Sequence, residues 1–309
     1  MKKLLTASLL SFVLVSACRD LSKRERGEVT TLLAKQSEIV CAPAPARPSH
    51  GATSKTESAE SLAAEMNKVT AALRPCSMEG NAATPGCKAT FESLRPAAER
   101  IGEATRGPTA VVGLAQRFVI EASPPASSCQ GCAIATNRLL VGLAKEDAAR
   151  HQTGRALDTC ADAFALKRDA ALVGTMVDLT FVTGTMDYTT TSCAPAVEQA
   201  TAEERARLAT SLRTIRSGFP KFEDIVARDR ALVLLHMLGG YVETPSTTCD
   251  FARRAAASAV KPERELGEAY RVAKEQGRLG PQDASTAKYA TLYGEALQKM
   301  DALIDKASK

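Results

Sequence analysis

Cys129-Gln130-Gly131-Cys132 is the short arrangement in this chain whose residue types and spacing best suit chemistry. The pair sits where a helix is expected to begin. There the helix dipole stabilises a thiolate, and two cysteines so spaced can exchange disulfides. Thioredoxin-like enzymes carry that motif on a βαβ unit, however, and no strand pattern surrounds it here. Ala133 stands where c-type haem attachment requires His, and zinc would need further soft ligands at matching spacing. The chain has three histidines. His50 lies in a Pro-rich stretch and is expected to be exposed. His151 is expected at a helix end, where a cation suits the dipole. His236 falls in the apolar run 231–238, so a buried ring with a hydrogen-bond partner is expected; a haem or metal role beside Met237 is the alternative. Asp178 sits among Val177, Leu179 and Phe181, where burial raises a carboxyl unless a cation pairs with it. An ion pair with an arginine is the simpler expectation than a general acid. There is no G-x-S-x-G elbow, no phosphate-cradling glycine loop and no H-E-x-x-H helix. No catalytic residue, metal site or cofactor is therefore assigned.

The N-terminus carries chemistry of another kind. Lys2 and Lys3 precede an apolar run over 4–15, the pattern of a secretory signal. Arg19, Asp20, Lys23 and Arg24 end that run well short of the roughly 20 apolar residues a spanning helix needs. The boundary reads Val15-Ser16-Ala17-Cys18 and resembles the lipobox of bacterial lipoproteins. The resemblance implies diacylglyceryl transfer to the Cys18 sulfur, cleavage before Cys18 and acylation of the new amino group, so palmitate-type chains would hold the protein on a membrane of the cell envelope. The alternative is an ordinary signal peptide whose Cys18 joins a disulfide. Arg19, rather than Asp, follows Cys18, which points to the outer rather than the inner membrane.

Of nine cysteines, Cys18 is thereby assigned to lipid. Cys41, Cys76, Cys87, Cys129, Cys132, Cys160, Cys193 and Cys249 remain, an even number in a compartment that permits disulfides, and four bridges are expected. Spacing singles out Cys76–Cys87, which flank a loop with Gly80, Pro85 and Gly86 between two helix candidates.

Cleavage would leave 292 of the 309 residues, enough for a substantial core. The net charge of +5 falls to about +3 without Lys2 and Lys3, with both signs interleaved, which does not suggest a nucleic-acid surface. Tryptophan is absent and aromatics are 4% of residues, which disfavours stacking on bases or sugars.

The elements that must position these groups read as helices throughout. A thin stripe over 24–40 (Val29, Leu32, Leu33, Val40) precedes a Pro/Ala-rich linker to about 56. Leu62, Met66, Val69 and Leu73 step by 4, 3 and 4 along one face. Further helices are expected at 88–105, 109–121, 131–150 and from 155. Residues 172–186 are rich in β-branched residues but do not alternate, and read as a buried helix rather than a strand. Thr201 and Glu204 form a capping box; Gly218 and Pro220 mark a helix end and a new start. The apolar run 231–238 should be central, a helix over 250–277 should stop at Gly277, and a last helix should carry Tyr289, Leu292, Ala296, Met300 and Leu303 on one face. The Ser/Thr-Cys segments at Cys129, Cys193 and Cys249 suggest a weak repeat of helical hairpins, each Cys near a helix start.

The expected fold is all-α, an irregular disulfide-stapled bundle or array of helical hairpins. The expected organisation is a signal peptide over 1–17, a lipidated Cys with short helix and linker over 18–56, and a helical domain over 57–309 with a possible break near 107–109. The expected function is a non-catalytic helical module that holds an envelope protein partner. Thiol–disulfide exchange at Cys129/Cys132, or carriage of an apolar ligand, are the alternatives.

Overall fold

The computed structural model describes residues 21–43, 47–51, 59–76, 85–107, 130–173, 176–239, 248–257, 263–277 and 284–309. Among them are twelve α-helices, one 3-10 turn and no strand. The helices are α1 (Lys23–Cys41), α2 (Ala59–Leu73), α3 (Pro85–Ser93), α4 (Arg95–Arg106), α5 (Gln130–Ala149), α6 (Thr153–Val173), α7 (Met176–Gln199), α8 (Ala202–Ser217), α9 (Phe222–Gly239), α10 (Thr248–Ala257), α11 (Glu263–Glu275) and α12 (Ala284–Ala307). The 3-10 turn Arg74–Cys76 follows α2. No described helix is long and apolar enough to cross a membrane.

The chain divides into two compact units, one of Met1–Ala42, Val119–Pro125 and Ala227–Ala284, the other of Pro43–Phe118, Ala126–Val226 and Ser285–Lys309. In the first, Ser22 caps α1: its hydroxyl accepts from the Glu25 amide at 3.2 Å, and the Glu25 carboxylate accepts from the Ser22 amide at 2.8 Å. Val29, Leu33 and Val40 then face Leu234, Leu235 and Leu238 of α9, with Phe251 and Ala255 of α10 and Tyr270 of α11 closing the core. The end of α9 and the face of α10 meet closely, because a Cβ on Gly239 would stand 2.5 Å from that of Ala255. The Cys41–Cys249 disulfide ties the end of α1 to the start of α10.

In the second unit α6 is the axis. Every residue from 160 to 172 is buried, with α4, α5, α7 and α8 packed around it. Cys160–Cys193 staples α6 to α7. The Leu62, Met66, Val69 and Leu73 stripe of α2 joins the same core, and Cys76–Cys87 links the 3-10 turn to α3. Residues 172–186 are helical over their described part, with Leu179, Phe181, Val182 and Met186 buried. The threonine hydroxyls of α7 find acceptors one turn back: Thr183 donates to the Leu179 carbonyl at 3.0 Å, Thr185 to Phe181 at 2.7 Å and Thr190 to Met186 at 2.9 Å.

One expected helix is divided, and another is described only in part. The 88–105 segment breaks at Leu94, because Pro96 inside one continuous helix would lack its amide bond and clash with the carbonyl of residue 92. The 250–277 segment is helical over α10 and α11, and residues 258–262 between them lie outside the described residues. The 109–121 helix lies outside the described residues, as do the signal segment and Cys18.

Candidate functional site

Lys167, Arg168 and Asp169 follow one another on the buried axis, each 0% exposed. Successive helical residues point about 100° apart, so the three side chains reach different neighbours. Lys167 Nζ donates to Asn137 Oδ1 on α5 and, at 2.7 Å, to Thr189 Oγ1 on α7. The Phe181 and Phe164 ring centroids lie 5.4 and 6.0 Å from it. None of the described carboxylates pairs with it, and burial pushes its ammonium well below the usual lysine range.

On the opposite flank, Asp169 Oδ1 accepts from Arg168 Nε at 3.1 Å, from Arg168 Nη2 at 3.0 Å and from Arg47 Nη1. Arg168 Nη2 also donates to the Thr105 carbonyl at 2.8 Å, and Arg47 Nη2 to the Ala104 carbonyl at 3.2 Å. Burial lowers both guanidiniums, Arg47 to about 10 and Arg168 to about 9, so both stay cationic at neutral pH. Arg106 forms a bidentate pair with Asp162 at 2.8 and 2.6 Å. Burial pushes the Asp162 carboxyl up against the pull of that cation. A Cβ on Gly102 would stand 2.4 Å from Asp162 Oδ2, and one on Gly218 2.8 Å from Arg168 Cδ, so both glycines are cleared for this network.

Here the structure corrects one expectation. Within the Pro/Ala-rich stretch Arg47 is 3% exposed. His50 is not solvent-exposed: its amide donates to the Arg106 carbonyl at 3.3 Å, and both ring nitrogens are buried without a described partner. Burial, then the charges of Arg168, Arg47 and Arg106, hold its imidazole down at about 3. The local reason is that a cation and a ring can anchor chain that has no regular periodicity.

A second feature of this unit is concave. A pocket of about 250 Å³ is lined by Thr70 and Leu73 of α2, Arg74 and Cys76 of the 3-10 turn, Phe91 of α3, and Ile134, Ala135 and Arg138 of α5. Its walls are mostly apolar, and Arg74 and Arg138 are exposed. Phe91 seats against Gly142, where a Cβ would come within 3.3 Å of the ring. The Cys76–Cys87 bridge braces one wall.

The other residues singled out in the sequence are dispersed. Cys132 is buried in the first turn of α5 with Sγ 3.0 Å from Asn67 Oδ1, while Cys129 lies outside the described residues. Cys193 sits inside α7 and bonds Cys160, so it does not mark a helix start and the hairpin repeat is not present in that form. His151 is exposed with a left-handed φ of 58°, and the Gln152 amide donates to the Asp147 carbonyl at 2.8 Å, a Schellman-type helix end. Asp178 is buried on α7 and His236 is half-buried on α9. Among the described residues no group of three His, Cys, Asp or Glu is placed to hold a metal ion. Of the described residues that line the pocket, Thr70 supplies a hydroxyl and Arg74 and Arg138 supply guanidiniums. Comparison with known protein families, with curated proteins and with solved structures gives no match for this chain.

Proposed function

We propose that the chain is a non-catalytic envelope lipoprotein: a helical module exported by residues 1–17, held on the outer membrane by lipid on Cys18, that binds a partner protein. The anchoring part rests on the Val15-Ser16-Ala17-Cys18 spacing. The binding part rests on the pocket between α2, α3 and α5. Its size favours a protein partner. Small-molecule sites usually run to about 300–1,000 Å³, whereas 250 Å³ suits one apolar anchor side chain of the kind that dominates interfaces. Arg74 and Arg138 at the mouth complement an acidic neighbour of that anchor. Against the thiol–disulfide alternative stands the burial of Cys132, which is 3% exposed.

The test is site-specific photo-crosslinking from Ala135 in the full-length lipoprotein in its own membranes. A discrete protein adduct, lost in Arg138→Glu while the circular-dichroism melt is unchanged, supports the proposal. An adduct insensitive to Arg138→Glu overturns it. Saturable binding of a dansylated fatty acid that Ala135→Trp abolishes, with no protein adduct, replaces it with the apolar-carrier reading.

A further inference from the structure

Among the described residues two large apolar side chains stand exposed, Tyr188 and Val233. Tyr188 belongs to α7, which packs against α5. Burial pushes its phenol up and the Arg138 charge pulls it down, which places the guanidinium of that pocket residue near the ring. The Lys145 ammonium stands 5.1 Å from the ring centroid. Lys145 follows Arg138 by seven residues on α5, so it shares the same face about two turns, or about 10 Å, further along. Both cations are exposed. Pocket, Arg138, Tyr188 and Lys145 thus form one strip of surface.

The strip is positive. One turn to either side of Tyr188, α7 carries Gly184, Thr185, Thr191 and Ser192, none of them charged. A Cβ on Gly184 would meet nothing within 4 Å, so there is room beside the ring. The acids next in chain to Tyr188 and Lys145 are turned to other cations, Asp187 to Lys299 at 2.8 Å and Glu146 to Lys88 at 3.1 Å. None of the described carboxylates pairs with Lys145, whose ammonium lies on the ring instead.

We propose that this strip docks an acidic amphipathic helix of the partner protein, with an apolar anchor in the pocket and a carboxylate about two turns away against Lys145 and the Tyr188 hydroxyl. The proposal rests on the pocket being a protein-binding site and adds the partner's charge and register. Tyrosine and arginine are the residues that interfaces concentrate, and the sign of the strip selects the sign of the partner. The mode follows from the fold. Among the described residues there is no strand whose edge an extended peptide could join. A single exposed ring does not make the aromatic-lined groove that proline-rich ligands need, whereas a helix laid along packed helices matches their rise.

The experiment selects peptides about five helical turns long from a randomised displayed library on purified full-length lipoprotein in detergent. Enriched sequences should share one apolar position and Asp or Glu about seven residues from it. In Lys145→Glu, with an unchanged circular-dichroism melt, the enriched peptide should bind about fivefold more weakly, the scale of one exposed ion pair. A peptide with Lys in place of that acid should recover the loss. Tyr188→Ala should weaken binding without changing the response to salt. Anchored peptides that Ala135→Trp excludes but that show no acidic position, or no response to Lys145→Glu, would overturn this proposal and leave the pocket a protein site. Enrichment of no anchored peptide would overturn both readings.

Discussion

Replacing Lys167 by Met should make the protein more stable at neutral pH and erase one proton's worth of pH dependence. The folded amine is held by Asn137 Oδ1 and Thr189 Oγ1 with no described carboxylate, and burial lowers its pKa well below 10.5. The unfolded lysine keeps its proton up to its ordinary value. Between the lowered folded pKa and 10.5, unfolding takes up a proton, so stability rises with pH by about 1.4 kcal/mol per unit. This contribution is complete above the unfolded pKa and is lost as pH falls towards the folded one. Met fills similar volume without a charge. Its loss is the two donated bonds, partly recovered because the Thr189 hydroxyl lies 3.3 Å from Asn137 Oδ1 and can turn to it. A net loss of about one hydrogen bond, ~1–2 kcal/mol, is outweighed once the lysine's shift exceeds one or two pH units. Urea denaturation of both proteins from pH 6 to 10, with disulfides intact, gives the comparison. Arg47, Arg168 and His50 are common to both and cancel in the difference. The advantage of Lys167→Met should shrink as pH rises and reverse near 10. Parallel curves, or a less stable variant at pH 6–7, would refute the argument and mean that the Phe181 and Phe164 rings hold a charged ammonium.

Two further outcomes are expected. Cys18→Ala should abolish incorporation of labelled palmitate and leave the precursor unprocessed or released from membranes; retained label would end the lipoprotein assignment. His50→Gln should flatten the acid limb of stability. The imidazole is held near 3 when folded against 6.5 when free, so stability present above pH 6.5 is lost towards pH 3, by at most about 5 kcal/mol. An acid-unfolding midpoint that does not move in His50→Gln would show that the ring ionises without constraint.

How much was legible depends on whether a residue's environment leaves a periodic trace. The α2 stripe and the Thr201–Glu204 capping box are local patterns, and both stand in the structure. The end of α8 is likewise marked by Gly218. Pro96 was available as a break signal and outweighs the apolar continuity around it. By contrast α6 leaves no stripe, because a helix buried on every side has no polar face to contrast with. The fold partners of Arg47 and His50 are equally silent: both lie in aperiodic chain, and the groups they meet are 56 to 161 residues away. Cys41–Cys249, with a separation of 208 residues, is beyond any spacing argument.

The polar groups on α6 also explain how so alanine-rich a core keeps one arrangement. Ala161, Ala163, Ala165, Ala170 and Ala171 present small, similar surfaces on several faces, and such surfaces barely distinguish one rotation of a helix from another. The charged triplet does distinguish them. Turning α6 by one residue, about 100°, would carry Lys167 off Asn137 and Thr189 and Arg168 off the Thr105 carbonyl. It would also part Asp169 from Arg47. Each buried charge so stranded costs several kcal/mol, far more than any loss of alanine packing. The same constraint reaches the pocket. Asn137 on α5 is fixed by Lys167, and the residue after it, Arg138, stands at the pocket with Ile134 and Ala135 one turn before. The rotation of α5 that satisfies the buried amine therefore also sets which side chains of α5 line the candidate binding surface.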